Sequence, residues 1–198
     1  VALDNLKATL PNVEWVSVVI NWFANTLDAG TMTIKPAAEF NSQGARVTPD
    51  DWSVAGYNRN NAHQILYFGD GSPTFGGTPT DKGVLRLCQE LKARGYNVLL
   101  YPMLQVDTIT PTSKPWRGRI IPTSASAANA FFTNTLGYNA FITHYANLQI
   151  GGVYLRSYLD AFMIGSELVG LTTYMSSSGV FPAVTQLKSL AAAVKGIV

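Results

Sequence analysis

From Val16 to Phe23 the chain reads VSVVINWF, with β-branched or aromatic residues at nearly every position. A strand with one wet face alternates apolar and polar residues, so an unbroken apolar run fits a strand covered on both faces. Parallel sheets with helical crossovers create that situation. Three further segments have strand character. Gln64 to Phe68 (QILYF) ends in the turn run Gly69-Asp70-Gly71-Ser72-Pro73, Asn97 to Leu104 reads NVLLYPML, and Leu159 to Ile164 (LDAFMI) closes at Gly165.

Helical patterns lie between these segments. Thr78-Pro79-Thr80-Asp81 predicts a helix start, with Thr78 as the capping hydroxyl, proline at the first helical position and a carboxylate at the third. Val84, Leu87, Cys88 and Leu91 then form one apolar stripe. Arg94 falls in the last turn, and Gly95 supplies the left-handed stop. A second helical region spans about Ser126 to Leu148, broken near Gly137-Tyr138-Asn139. A third starts at Phe181-Pro182 with Val184, Leu187, Ala191 and Val194 on one face.

This alternation predicts a mostly parallel α/β sheet of about four βα units. The segments after strands are long (Ala24 to Asn61, Gln105 to Thr123), while the helix-to-strand link at Gly95 is tight. Elaborate loops at the strand C-terminal ends are the signature of a TIM-type barrel, whose sites lie there. Neither a 20–50-residue repeat nor a low-complexity linker divides the 198 residues, so one partial domain over 1–198 is expected. The chain opens at Val1 without Met and ends at an apolar stop, which reads as a piece cut from a longer polypeptide.

Composition narrows the function. Charged residues are only 13% against 47% hydrophobic, well under the usual charged share of about a quarter. Part of the surface is therefore expected to be covered by something else. A net charge of +2, with Arg117 and Arg119 as the one tight basic pair, speaks against nucleic acid. No run approaches the ~18 apolar residues of a membrane span, and Asp4 and Lys7 interrupt any leader. Cys88, the single cysteine, sits on the apolar helix stripe and reads as structural.

Among chemistry-bearing residues, Glu167 in Ile164-Gly165-Ser166-Glu167-Leu168 stands out. It follows an apolar strand directly, where partial desolvation would raise a carboxyl toward the range of a general acid. A carboxylate capping a helix or pairing with an arginine is the alternative. Asp107 follows Gln105-Val106 on the same expected rim, as a second polar wall or as a turn residue. Asn21-Trp22 and Glu39 carry the same ambiguity. Trp116-Arg117 offers a ring face for a sugar and a guanidinium fork, or else a loop anchor. His63 and His144 sit in no metal-ligand spacing and read as structural. Gly76-Gly77 lacks the Lys and Ser/Thr of a phosphate cradle, and no G-x-S-x-G elbow occurs. Neither a cofactor nor a metal is implied.

Several segments together resemble the TIM-barrel-like, glycoside-hydrolase-like domain of gene-transfer-agent and phage tail-tip (baseplate hub) proteins. They are Pro11 to Val19 with Asn21-Trp22-Phe23, Trp52 to Arg59, Gly76 to Asp81 with Leu91 to Gly95, Tyr101-Pro102-Met103, Pro115 to Ile120, and Phe162 to Thr172. The resemblance implies the N-terminal half of a (β/α)₈ barrel. It further implies a place at the tail tip of a particle made in the bacterial cytoplasm, with other tail subunits and a cell-envelope glycan as partners. In related hydrolases a Glu at the end of strand 4 is the acid/base, and Glu167 takes that place. Asn21, Trp22, Asp107, Trp116 and Arg117 would then line the sugar. The second carboxylate of such enzymes comes from a strand late in the barrel, so activity is left open. Open sheet edges in a half barrel predict self-association.

Overall fold

A computed structural model describes residues 2–40, 50–108 and 115–198; parts of both long loops, 41–49 and 109–114, lie outside the described residues. The elements are α1 (Ala2–Thr9), β1 (Trp15–Ala24), β2 (Ile34–Lys35), β3 (Ala37–Ala38), β4 (His63–Gln64), α2 (Asp81–Ala93) and β5 (Asn97–Val106). They continue with α3 (Ala125–Thr133), α4 (Tyr138–Asn147), β6 (Gln149–Ile150), β7 (Val153–Tyr154), β8 (Ala161–Phe162), α5 (Val169–Thr172) and α6 (Pro182–Lys195).

The main sheet has the order β2-β1-β5-β8. β1 and β5 run parallel in full register from Trp15↔Asn97 to Ala24↔Val106, and β8 adds in parallel at Leu99↔Ala161. β2 pairs antiparallel with the last residues of β1. Three parallel strands with helical crossovers make a mixed α/β half-shell. The four-unit expectation is corrected here, because the segment expected as strand 2 never enters this sheet. Only His63–Gln64 is strand, and it pairs with Ala37–Ala38 in a separate two-stranded sheet. QILYF carries apolar residues for a different reason. Ile65 packs with Phe23, Ala37 and Phe75 in a small cluster above the strand ends.

Helices cover one face. Val18, Ile20, Trp22 and Ala24 of β1 are buried, as are Val98, Leu100, Leu104 and Val106 of β5. Trp22 shows what they meet. Its ring stacks on Phe141 of α4 at 5.0 Å, and its Nε1 donates to the buried Tyr145 hydroxyl at 3.0 Å. The other face differs. Along β5, Asn97, Leu99, Tyr101, Met103 and Gln105 are all half-buried, and on β1 Val19 is 43% exposed. The apolar run of β1 therefore alternates in burial from Ser17 to Trp22, against the expectation of cover on both faces, and only toward its end, at Phe23, is the second face buried.

The helices follow local chemistry with two shifts. α2 is capped by Thr80, whose hydroxyl accepts from the Gly83 amide at 3.0 Å, and not by Thr78. Thr78 is drawn into tertiary bonds instead, accepting from the Ala37 amide (2.9 Å) and donating to the Asn21 carbonyl (2.7 Å). The buried stripe is Val84, Leu85, Cys88 and Leu91, with Leu87 39% exposed, so the face that packs on the fold takes in Leu85 on one flank and leaves Leu87 on the other in solvent. Gly95 takes φ +86° as a left-handed stop. Burial pushes the Cys88 thiol up to about 12, which leaves it an inert apolar side chain. The break between α3 and α4 falls where expected, and the long connection before β8 folds into the β6-β7 hairpin and a 3-10 turn at Leu155–Tyr158.

Candidate functional site at the strand ends

The sequence candidates sort into two groups and one misplacement. Trp22 is the misplacement. At 4% exposure it belongs to the helix-side core and cannot touch a sugar. Asn21 faces the other way and is half-buried; its Oδ1 is enclosed and, among the described residues, has no hydrogen-bond partner. Glu39 acts as a tie, accepting from the Gly77 amide at 2.9 Å and pairing with Arg59 at 3.5 Å.

Asp107 closes the end of β5. It is 3% exposed, and every oxygen is engaged. Oδ2 accepts from His63 Nε2 at 2.8 Å and the Leu66 amide at 3.0 Å, while Oδ1 accepts from the Thr74 hydroxyl at 2.8 Å. Burial alone would raise this carboxyl. The bonds from His63, Leu66 and Thr74 outweigh it and hold Asp107 below the usual carboxylate range. His63 in turn stacks on Phe23, with ring centroids 6.2 Å apart. Asp107 is thus neither a simple turn residue nor an open polar wall. It pins the 63–74 segment to the tip of β5. Its partners stand 44, 41 and 33 residues away, and no local spacing announced them.

Glu167, Trp116 and Arg117 are brought together beyond the end of β8. Arg117 is buried, donating from Nε to the Ser166 carbonyl at 3.3 Å and pairing through Nη2 with Glu167 Oε2 at 2.5 Å. The same Oε2 accepts from Trp116 Nε1 at 3.0 Å. Two glycines, missed in the sequence, seat this loop. A Cβ at Gly118 would stand 2.3 Å from the Trp116 ring, and one at Gly170 of α5 would meet the Ile120 carbonyl at 2.7 Å. Below, the Ser166 and Tyr101 hydroxyls are hydrogen-bonded.

Glu167 differs from its expectation in three ways. It follows the third parallel strand of the sheet, not a fourth. Its side chain is 54% exposed, where partial burial was expected. It also lines a cavity of about 320 Å³ with Ser166, Thr172 and Leu187, whereas Asp107 lines a separate one of about 340 Å³ with Tyr67, Phe68 and Phe75. The residue sits at φ +53°, a left-handed backbone that a non-glycine side chain rarely adopts. Such strain persists only where the surroundings impose it, and here the ion pair and the indole bond do so.

His144 bonds Asp81 Oδ1 at 2.9 Å, a structural tie between α4 and the start of α2. Among the described residues no group of three His, Cys, Asp or Glu is placed to hold a metal ion, and no helix is long and apolar enough to cross a membrane.

No curated protein matches the sequence. Among solved structures, the complex structure of a GH113 β-1,4-mannanase is similar, at 15% identity and a TM-score of 0.54. The likeness covers 99% of this chain and 45% of the mannanase, so the chain spans less than half the length of that structure. At that identity the likeness concerns fold, which is the mixed α/β architecture of part of a TIM barrel of glycoside-hydrolase type. Within that fold, residues 136–198, from α4 through α6, match the family described as the GTA TIM-barrel-like domain.

Proposed function

We propose that this chain is a structural and host-interaction module of a gene-transfer-agent or phage tail-tip protein, and that its strand-end face binds cell-envelope glycan. The match of residues 136–198 to the GTA TIM-barrel-like domain carries the reading. The exposed Trp116 and Glu167 side chains at the strand ends support the glycan part, since ring faces and fixed carboxylates are what sugars are held by.

The chain is one partial domain, the first part of a barrel completed by further sequence. Its half-buried second face supports this, together with its coverage of 45% of the mannanase. Among the described residues β8 ends the sheet on one side and the two-residue β2 alone borders β1 on the other, so both flanks are open to pairing. Taken alone, the chain would self-associate there; in the particle, its partners are other tail subunits.

Hydrolysis is the weaker reading. A general acid must present a proton, while Glu167 Oε2 already accepts from Trp116 and Arg117. Two carboxyls must also face one bond within roughly 5–9.5 Å of each other, and Asp107, which lines a different cavity from Glu167, is not that second carboxyl.

The test is cosedimentation of the intact protein with isolated bacterial envelope, before and after periodate oxidation of its sugars. Binding lost on oxidation is the expected result. Equal binding to oxidised envelope, or no binding to either, would overturn the glycan role.

A further inference from the structure

The indole of Trp116 is fixed on two sides and open on a third. Its Nε1 is held by Glu167 Oε2 at 3.0 Å, and its six-membered ring lies against Gly118 so closely that a Cβ there would come within 2.3–2.6 Å. The residue is nevertheless 40% exposed. An aromatic face anchored this way is a preorganised stacking surface, because no side-chain freedom is lost when a ring lies on it. Beside it, Glu167 spends Oε2 on both donors, and among the described residues no hydrogen bond reaches Oε1. The Arg117 guanidinium is buried and committed to Glu167, Ser166 and the Leu104 carbonyl.

We propose that Trp116 and Glu167 form a sugar subsite selective for neutral or amino sugars over acidic ones. This deepens the glycan reading above and rests on it. The apolar face of a pyranose lies on the outer face of Trp116, and a hydroxyl of the same residue donates to Glu167 Oε1. The ion pair with Arg117 is lopsided: the guanidinium is 8% exposed and turned to the Ser166 and Leu104 carbonyls, while the carboxylate is 54% exposed, so the charge a sugar meets beside the stacking face is the negative one. Acidic sugars are therefore repelled where neutral ones are held.

Titration calorimetry of the intact protein with mannohexaose, cellohexaose, hexaglucosamine and hexagalacturonate tests this. The neutral or amino hexamers should bind at least about tenfold tighter than hexagalacturonate. Trp116→Ala should weaken them about tenfold or more, and Trp116→Phe, which keeps a stacking face, within about threefold. Gly118→Ala should weaken them as Trp116→Ala does, with Trp116 still present, because the added methyl displaces the ring. Glu167→Gln should narrow the gap to hexagalacturonate. Thermal melts of each variant establish that the fold is retained.

If the hexamers bind and both Trp116→Ala and Gly118→Ala leave affinity unchanged, the subsite is wrong while glycan binding stands. Equal affinity for hexagalacturonate would overturn the selectivity. Absence of binding to all four hexamers by the unmodified protein would remove the subsite, and retained periodate-sensitive envelope binding in that case would show that the broader reading survives without it.

Discussion

Two carboxylates stand past the ends of neighbouring parallel strands, and they have opposite fates. Asp107, at the tip of β5, is buried and accepts from three donors on a distant segment. Glu167, beyond β8, is half exposed, accepts through one oxygen and sits on a left-handed backbone. Position at a strand end does not by itself make a functional carboxylate. What matters is how many of its lone pairs the fold has already used. Asp107 is part of the scaffold, and Glu167 retains the capacity to meet something else.

The contrast predicts unequal stability effects. Asp107→Ala leaves His63, the Leu66 amide and Thr74 without their acceptor, and should cost about 3–5 kcal/mol in urea denaturation. A cost under about 1 kcal/mol would show that the 63–74 segment is held by its apolar cluster alone. Acid titration tests the Asp107 side next. A carboxyl lowered in the folded state contributes stability that is fully present above its unfolded value, near 3.8 for Asp107, and is lost as the pH falls through the lower folded value. Asp107→Asn should flatten the acid side of the stability profile. The smallest effect is expected for Glu167→Gln in urea at neutral pH, within about 1 kcal/mol, since the carboxylate is 54% exposed, a glutamine oxygen can still accept from Trp116 and Arg117, and the guanidinium keeps the Ser166 and Leu104 carbonyls. A loss as large as that of Asp107→Ala would mean that Glu167 is a structural pin as well, and would weaken its role in recognition.

The sheet shows the same division between its two faces. On the helix side, Trp22 is enclosed by Phe141 and Tyr145. On the other, the side chains of β5 stay half-buried at every second position. A run such as VSVVINWF encodes that both faces should be dry, but it does not contain what dries the second one. The expectation of four strands failed at Gln64 to Phe68 for a related reason. An apolar pentapeptide is compatible with a central strand or with a loop packed over Phe23, and only the partner decides.

What the residues determined alone are the features set by neighbours a few positions apart: the extent of β1 and β5, the turn of α2 into Gly95, the interruption between α3 and α4, and Pro182 at the start of α6. Glu167 and Trp116-Arg117 were also legible as candidates, because a carboxylate after an apolar strand and an aromatic beside a guanidinium are local patterns. Tertiary structure decided which tryptophan is available and which threonine caps α2. It also decided that Asp107 is spent on His63, and that Trp116 and Arg117 meet Glu167 about fifty residues later in the chain. Helix caps and strand runs are stabilised by interactions within one or two turns of the backbone, so sequence encodes them directly. Hydrogen-bond saturation and burial of a side chain depend on groups brought in by the fold, and those exist only once the sheet has assembled.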